Sequence, residues 1–102
     1  MEYEFRDGRL YVHRTEEEKS RITDRLKKIE GQVRGVRRMV DESRYCLDEV
    51  QQANAIIGAM REVALLIIAD HLSAGMEFAV GSKNTEGAVK DMMAVLRAAI
   101  RK

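Results

Sequence analysis

Apolar residues recur along this chain at helical spacing, in three segments of unequal length. Ile22, Leu26, Ile29, Val33, Val36 and Val40 step by three and four, which makes one narrow seam on one helix. Thr15 and Glu18 stand ahead of it at the spacing of a capping box, so the first helix starts at Thr15 and ends near residues 41–42. Ser43 reads as the N-cap of a second helix over about 44–78. Leu47, Val50, Ile57, Met60, Ala64, Ile67, His71, Leu72 and Phe78 mark its buried side. Residues 81–84 read as a loop, with Asn84 or Thr85 capping a third helix that runs to about residue 100. Val89, Met92, Met93, Leu96 and Ile100 are the apolar side of that helix.

Residues 1–14 form an N-terminal extension to the helical domain of residues 15–102. Tyr3, Phe5, Leu10 and Val12 alternate around Asp7-Gly8, the pattern of a small hairpin, although a frayed tail accommodates the same residues. The predicted fold is therefore all-α, a three-helix protomer with a long central helix. That central helix outruns the first, and three helices so unequal do not close into a bundle. Apolar surface is left over, and Ala53, Ala55, Gly58 and Ala59 are small enough for a second helix to come close. An oligomer is expected.

Composition agrees and narrows the class. The chain has 102 residues and no proline, which suits one small domain of long helices. A lone cysteine makes no internal disulfide, so a reducing, cytoplasmic setting is expected. The N-terminal stretch lacks an apolar signal core, and the longest apolar run, residues 63–69, is far short of a membrane span.

Charge changes the picture more. The net charge is only +1, yet residues 19–38 hold eight basic residues against Asp24 and Glu30, a local excess of +6. Arg21, Arg25 and Lys28 lie on one strip, with Gln32 next along it, and Lys27, Arg34 and Arg38 on the other flank of the seam. Two cationic stripes suit the phosphate backbone of double-stranded DNA, although a solvated helix face would also carry them. No helix-turn-helix or zinc-finger signature accompanies them.

Three residues carry candidate metal or thiol chemistry. Cys46 falls in the first turn of the second helix, where the helix dipole and Arg44 favour a thiolate, the form that binds metals and attacks electrophiles. His71 lies late on the apolar side of the same helix. His13, in the extension, is a third possible nitrogen donor. Cys46 and His71 are about 37 Å apart along one helix, so a shared ligand requires two antiparallel chains. A lone cysteine or histidine is also an ordinary core residue. No glycine-rich phosphate loop, nucleophile motif or catalytic carboxylate pair is present, and no enzyme is expected.

The run RLKKIEGQVRGVRRMVDESRYC and the later DHL resemble the CsoR/RcnR/FrmR family of small helical repressors, over residues 15–102. The resemblance implies an antiparallel homodimer, paired again into a tetramer, that represses genes for metal efflux or detoxification. It implies that Cys46 of one subunit and His71 of the other form the effector site, with Tyr45 and Asp91 behind them. Arg25 falls where a DNA-contacting arginine is expected. The effector is then Cu(I), Ni(II), Co(II) or Zn(II), or, in the formaldehyde-responsive branch, a small electrophile at Cys46. A helical interaction module without sensing is the remaining alternative. One departure stands out: copper sensors of the family carry a second cysteine one turn after the histidine, and here that position is Gly75.

Overall fold

The computed structural model describes residues 1–101. Two strands, β1 (Glu2–Arg6) and β2 (Arg9–His13), precede three helices, α1 (Glu16–Asp41), α2 (Cys46–Gly81) and α3 (Thr85–Ile100). The helices are the predicted three. The extension is a β-hairpin, antiparallel with Tyr3 opposite Val12 and Phe5 opposite Leu10. Asp7 and Gly8 both take positive φ, as a tight two-residue turn requires.

Helix ends follow the capping chemistry in two cases of three. At α1 the full capping box forms: the Glu18 N–H donates to the Thr15 hydroxyl and the Thr15 N–H to Glu18 Oε1. At α3 the Gly87 N–H donates to the Asn84 side-chain oxygen. Ser43 is the exception, because it does not cap α2. It sits at φ 54°, its N–H bonds Val40 O, and the Arg44 N–H bonds Met39 O. Those paired bonds are the left-handed C-terminal lock of α1, a place usually held by glycine. The N-cap of α2 is Tyr45, which makes no side-chain capping bond, so the helix starts at Cys46.

The molecule is elongated, 59 × 30 × 18 Å, because α2 runs unbroken for 36 residues. Against α1 it buries Val63, packed with Ile22, Ile29, Leu26, Ile56, Ala59 and Leu66. The side that the sequence pattern marked is covered only towards its C-terminal end, where His71 meets α3 and Phe78 meets the hairpin. Leu47, Val50, Ile57, Met60 and Ile67 remain between 42% and 54% exposed in the single chain. The reason is that α2 is apolar on two faces: one seats α1, and the other is covered by α3 and the hairpin only beyond its middle, leaving the N-terminal part open.

By length and composition α2 is also apolar enough to cross a membrane, with a mean hydropathy of 1.6 over an 18-residue stretch. The continuous run in the sequence did not reveal this, since Arg61, Glu62 and Asp70 interrupt it. Asp70 is taken up by an ion pair with Arg14, 2.8 Å away.

The hairpin packs on the far end of α2. The Phe5 ring stacks on Phe78 with centroids 4.6 Å apart, Tyr3 meets the same ring edge-on at 6.0 Å, and Leu10 is buried. Three aromatic rings, the Arg14–Asp70 ion pair and a hydrogen bond from Leu10 N–H to Asp91 thus hold the hairpin over the α2–α3 end, beside His71. The Met1 amino group pairs with Glu18 of α1.

Candidate functional site

His71 faces α3 from the last third of α2. Its Nε2 lies 2.7 Å from Asp91 Oδ2, and the two side chains are only 13% and 10% exposed. A carboxylate accepts, so Nε2 carries the proton and donates. In the neutral ring this leaves the lone pair on Nδ1, the atom available to a metal ion. The same Asp91 oxygen accepts the Leu10 N–H of β2 at 3.2 Å. Asp70, although next in sequence to His71, points instead to Arg14. Adjacent helical residues face different ways, so the orienting carboxylate comes from α3.

Cys46 is the first residue of α2, exposed and free. With α2 unbroken, about 37 Å of helix separates it from His71. Tyr45, just before it, is 69% exposed. His13 turns to Glu4 across the hairpin, with Nε2 3.3 Å from Oε2, and both side chains are about half exposed. Among the described residues no three His, Cys, Asp or Glu side chains converge as a metal cage. One chain therefore presents two half-sites, a thiol at one end of α2 and an oriented imidazole towards the other.

Gly75, one turn beyond His71, is buried, and the space above it is taken. A Cβ built there would lie 2.7 Å from both Cγ and Sδ of Met92 and 3.5 Å from its Cε. Sequence reasoning placed Met92 on the apolar side of α3 and gave it no further role.

The basic residues of α1 stand outward. Arg25, Lys28 and Gln32 line a groove between α1 and α2 with Ile29, Ala59 and Glu62. Arg34 lines a second groove, past the apolar seam, with Glu30, Val33 and Met60. Among the described residues Arg21, Arg25, Lys27, Lys28, Arg34 and Arg38 make no ion pair, so their charge faces solvent. Gln32 Oε1 is buried without a partner.

Comparison with known proteins defines the class. A family model described as metal-sensitive transcriptional repressor matches residues 18–98. The copper-sensing transcriptional repressor CsoR of Bacillus subtilis is 41% identical over 83% of this chain and 84% of its own length. RicR, the copper-sensing transcriptional repressor of Mycobacterium tuberculosis, is 35% identical over 88% of this chain and 96% of its own. Among solved structures, the copper-sensing repressor CsoR with Cu(I) from Geobacillus thermodenitrificans superposes with a TM-score of 0.80 at 36% identity, covering 89% of this chain and 95% of that one. The nickel-responsive regulator InrS superposes at 0.75 and 30% identity, covering 87% and 97%. The chain belongs to the metal-sensitive transcriptional repressor family. It is a metal-responsive repressor, a regulatory protein and not an enzyme.

Proposed function

We propose that this chain binds operator DNA as a homotetramer of antiparallel dimers. It releases the DNA when a transition-metal ion, foremost Cu(I), binds between Cys46 of one copy and His71 of another. One observation carries the reading: His71 is clamped through Nε2 on Asp91 while the sole thiol stands about 37 Å away along α2. An imidazole held by a carboxylate through one nitrogen is the usual preparation of the other nitrogen for a metal. Only a second chain running the opposite way brings a thiolate to it. The open apolar face of α2, with Leu47, Val50, Ile57 and Met60, supports such pairing.

The donor set fits a soft or borderline ion, since thiolate and imidazole suit Cu(I), Ni(II), Co(II) and Zn(II) to differing degrees. When bound, the metal supplies a crosslink between two chains that is absent without it. Cu(I) is placed first because the relatives named as copper-sensing are more similar to this chain than the nickel-responsive one. Asp91 fixes the ring plane and tautomer of His71. Tyr45 would pack beside the site, next to Cys46. His13 would join only by leaving Glu4.

On the DNA side, Arg21, Arg25 and Lys28, with Gln32, form one strip and Lys27, Arg34 and Arg38 the other. They contact phosphates, giving affinity through counterion release rather than a base code. Coupling between the two sites of about 1–3 kcal/mol, the usual range, weakens DNA binding about 5- to 150-fold when the metal is bound. Such a repressor works in the cytoplasm, with the DNA.

The test is operator binding by fluorescence anisotropy, titrated with Cu(I), Ni(II), Co(II), Zn(II) and formaldehyde on wild type and Cys46→Ala. Release by one metal, lost in Cys46→Ala, is expected. Equal response of both proteins to every effector would remove Cys46 from the site. Release by formaldehyde alone would make the protein an electrophile sensor.

A further inference from the structure

A thiolate and an imidazole leave a Cu(I) site short of a donor, and the position one turn after His71 offers none, being glycine. The space that a side chain at 75 would enter is nevertheless filled by a sulfur atom. Met92 Sδ lies 2.7 Å from the position of a Cβ on Gly75, and the three atoms nearest that position all belong to Met92. Residues i and i+4 stand on one helix face with Cβ atoms about 5–6 Å apart, so this sulfur occupies the His71 side of α2. The backbone that carries it is anchored by the adjacent residue. Asp91, its neighbour on α3, is pinned to His71 at 2.7 Å and to the Leu10 N–H at 3.2 Å.

We propose that Met92 Sδ is a metal ligand and the stand-in for a side-chain donor at Gly75. With His71 Nδ1 and Cys46 of a second copy it completes a site for Cu(I). The proposal rests on the metal-sensor reading given above and deepens it. Thioether sulfur is a soft donor with little affinity for Ni(II), Co(II) or Zn(II) when water and carboxylate compete, so the third position itself selects Cu(I). It is also uncharged. Cu(I) with one thiolate, one imidazole and one thioether is neutral overall, whereas two thiolates would leave a negative complex. In a site whose histidine and aspartate are nearly covered, neutrality avoids the cost of burying a net charge beside the Asp91 carboxylate.

Glycine at 75 is part of the same device. Any Cβ there would force the Met92 side chain out of its place, so the pair Gly75–Met92 exchanges a donor on α2 for one on α3. Binding at Met92 then ties α3 directly to the inter-chain site, and through Asp91 and Leu10 it ties in the hairpin.

Cu K-edge X-ray absorption on the Cu(I)-loaded protein, prepared without oxygen from selenomethionine-labelled material, tests this. A direct Cu–Se contact is expected in the labelled protein and absent in labelled Met92→Leu. In competition with a chromophoric Cu(I) chelator, Met92→Leu should bind Cu(I) at least about tenfold more weakly. Gly75→Cys/Met92→Ala, which returns a sulfur to α2 and clears its space, should recover the affinity. No Cu–Se contact in wild type, together with unchanged affinity in Met92→Leu while Cys46→Ala loses binding, would overturn the role of Met92 and leave the Cys46–His71 site standing. Cu(I) binding unaffected by Cys46→Ala would overturn the site itself, and Met92 with it. Should Met92→Leu fail to fold, loss of the Cu–Se contact in labelled Gly75→Cys/Met92→Ala decides in its place.

Discussion

His71 Nε2 donates to Asp91 Oδ2 across the α2–α3 contact at 2.7 Å, and the same oxygen receives the Leu10 N–H from the hairpin. One carboxylate thus joins α2, α3 and the hairpin around the imidazole. Asp91→Asn keeps the shape but offers its amide in place of a charged acceptor. Metal affinity should fall about 10- to 100-fold, the usual cost of losing such an orienting partner, while metal-free DNA binding stays near wild type. Chelator competition and operator anisotropy on the same preparation check both halves.

The hairpin is held to α2 mainly through Phe78, which both Tyr3 and Phe5 meet. Phe78→Ala removes the stacked and the edge contacts together, each worth about 0.5–1.5 kcal/mol beyond burial. Hydrogen exchange at residues 2–13 should become fast in this variant, with the helical circular dichroism unchanged. Continued protection of the Leu10 amide would mean that Asp91 and Arg14 hold the hairpin without the rings.

The open face of α2 is predicted to be the contact between copies. Ile57, 50% exposed in the single chain, is the position for a charge: Ile57→Glu should yield monomers in light scattering and weaken operator binding with them. A tetramer that survives this change would move the interface elsewhere on α2.

Helix ends give two opposite predictions. Thr15→Ala breaks the capping box and should cost about 1 kcal/mol. Ser43→Gly should stabilise by about 1 kcal/mol, since Ser43 bears the left-handed strain that glycine does not. Glu18 adds a pH dependence. The hydrogen bond from the Thr15 backbone holds its carboxyl below the usual carboxylate range. A lowered folded-state pKa stabilises above the unfolded value and is lost as the pH falls through the folded one. Acid should therefore destabilise wild type more than Glu18→Gln, as thermal melts from neutral to acidic pH would record.

Much of this protein is legible in its letters because the relevant physics is local. Three- and four-residue spacing gave the helices, Thr15 with Glu18 and Asn84 gave two starts, and the excess of Lys and Arg marked α1. The distance between Cys46 and His71 follows from helical rise alone. Ser43 misled because a serine between two helices is ambiguous: the same residue can open one helix or close the other, and the paired bonds back to Val40 and Met39 chose the second. The buried side of α2 misled for a related reason. A helix apolar on two faces has no single stripe, and only the position of α1 decided which face it covers.

What the sequence could not contain are relationships between distant positions. It set the residue types, the helix lengths and the separation of the thiol from the imidazole. The family resemblance implies Asp91 behind His71, but only the packing of α3 on α2 makes the hydrogen bond and lays the Met92 sulfur over Gly75, and only the pairing of β1 with β2 turns His13 to Glu4. Spacing fixes what shares a helix face, whereas the meeting of two faces is set by how their side chains interdigitate, and that is a property of the fold.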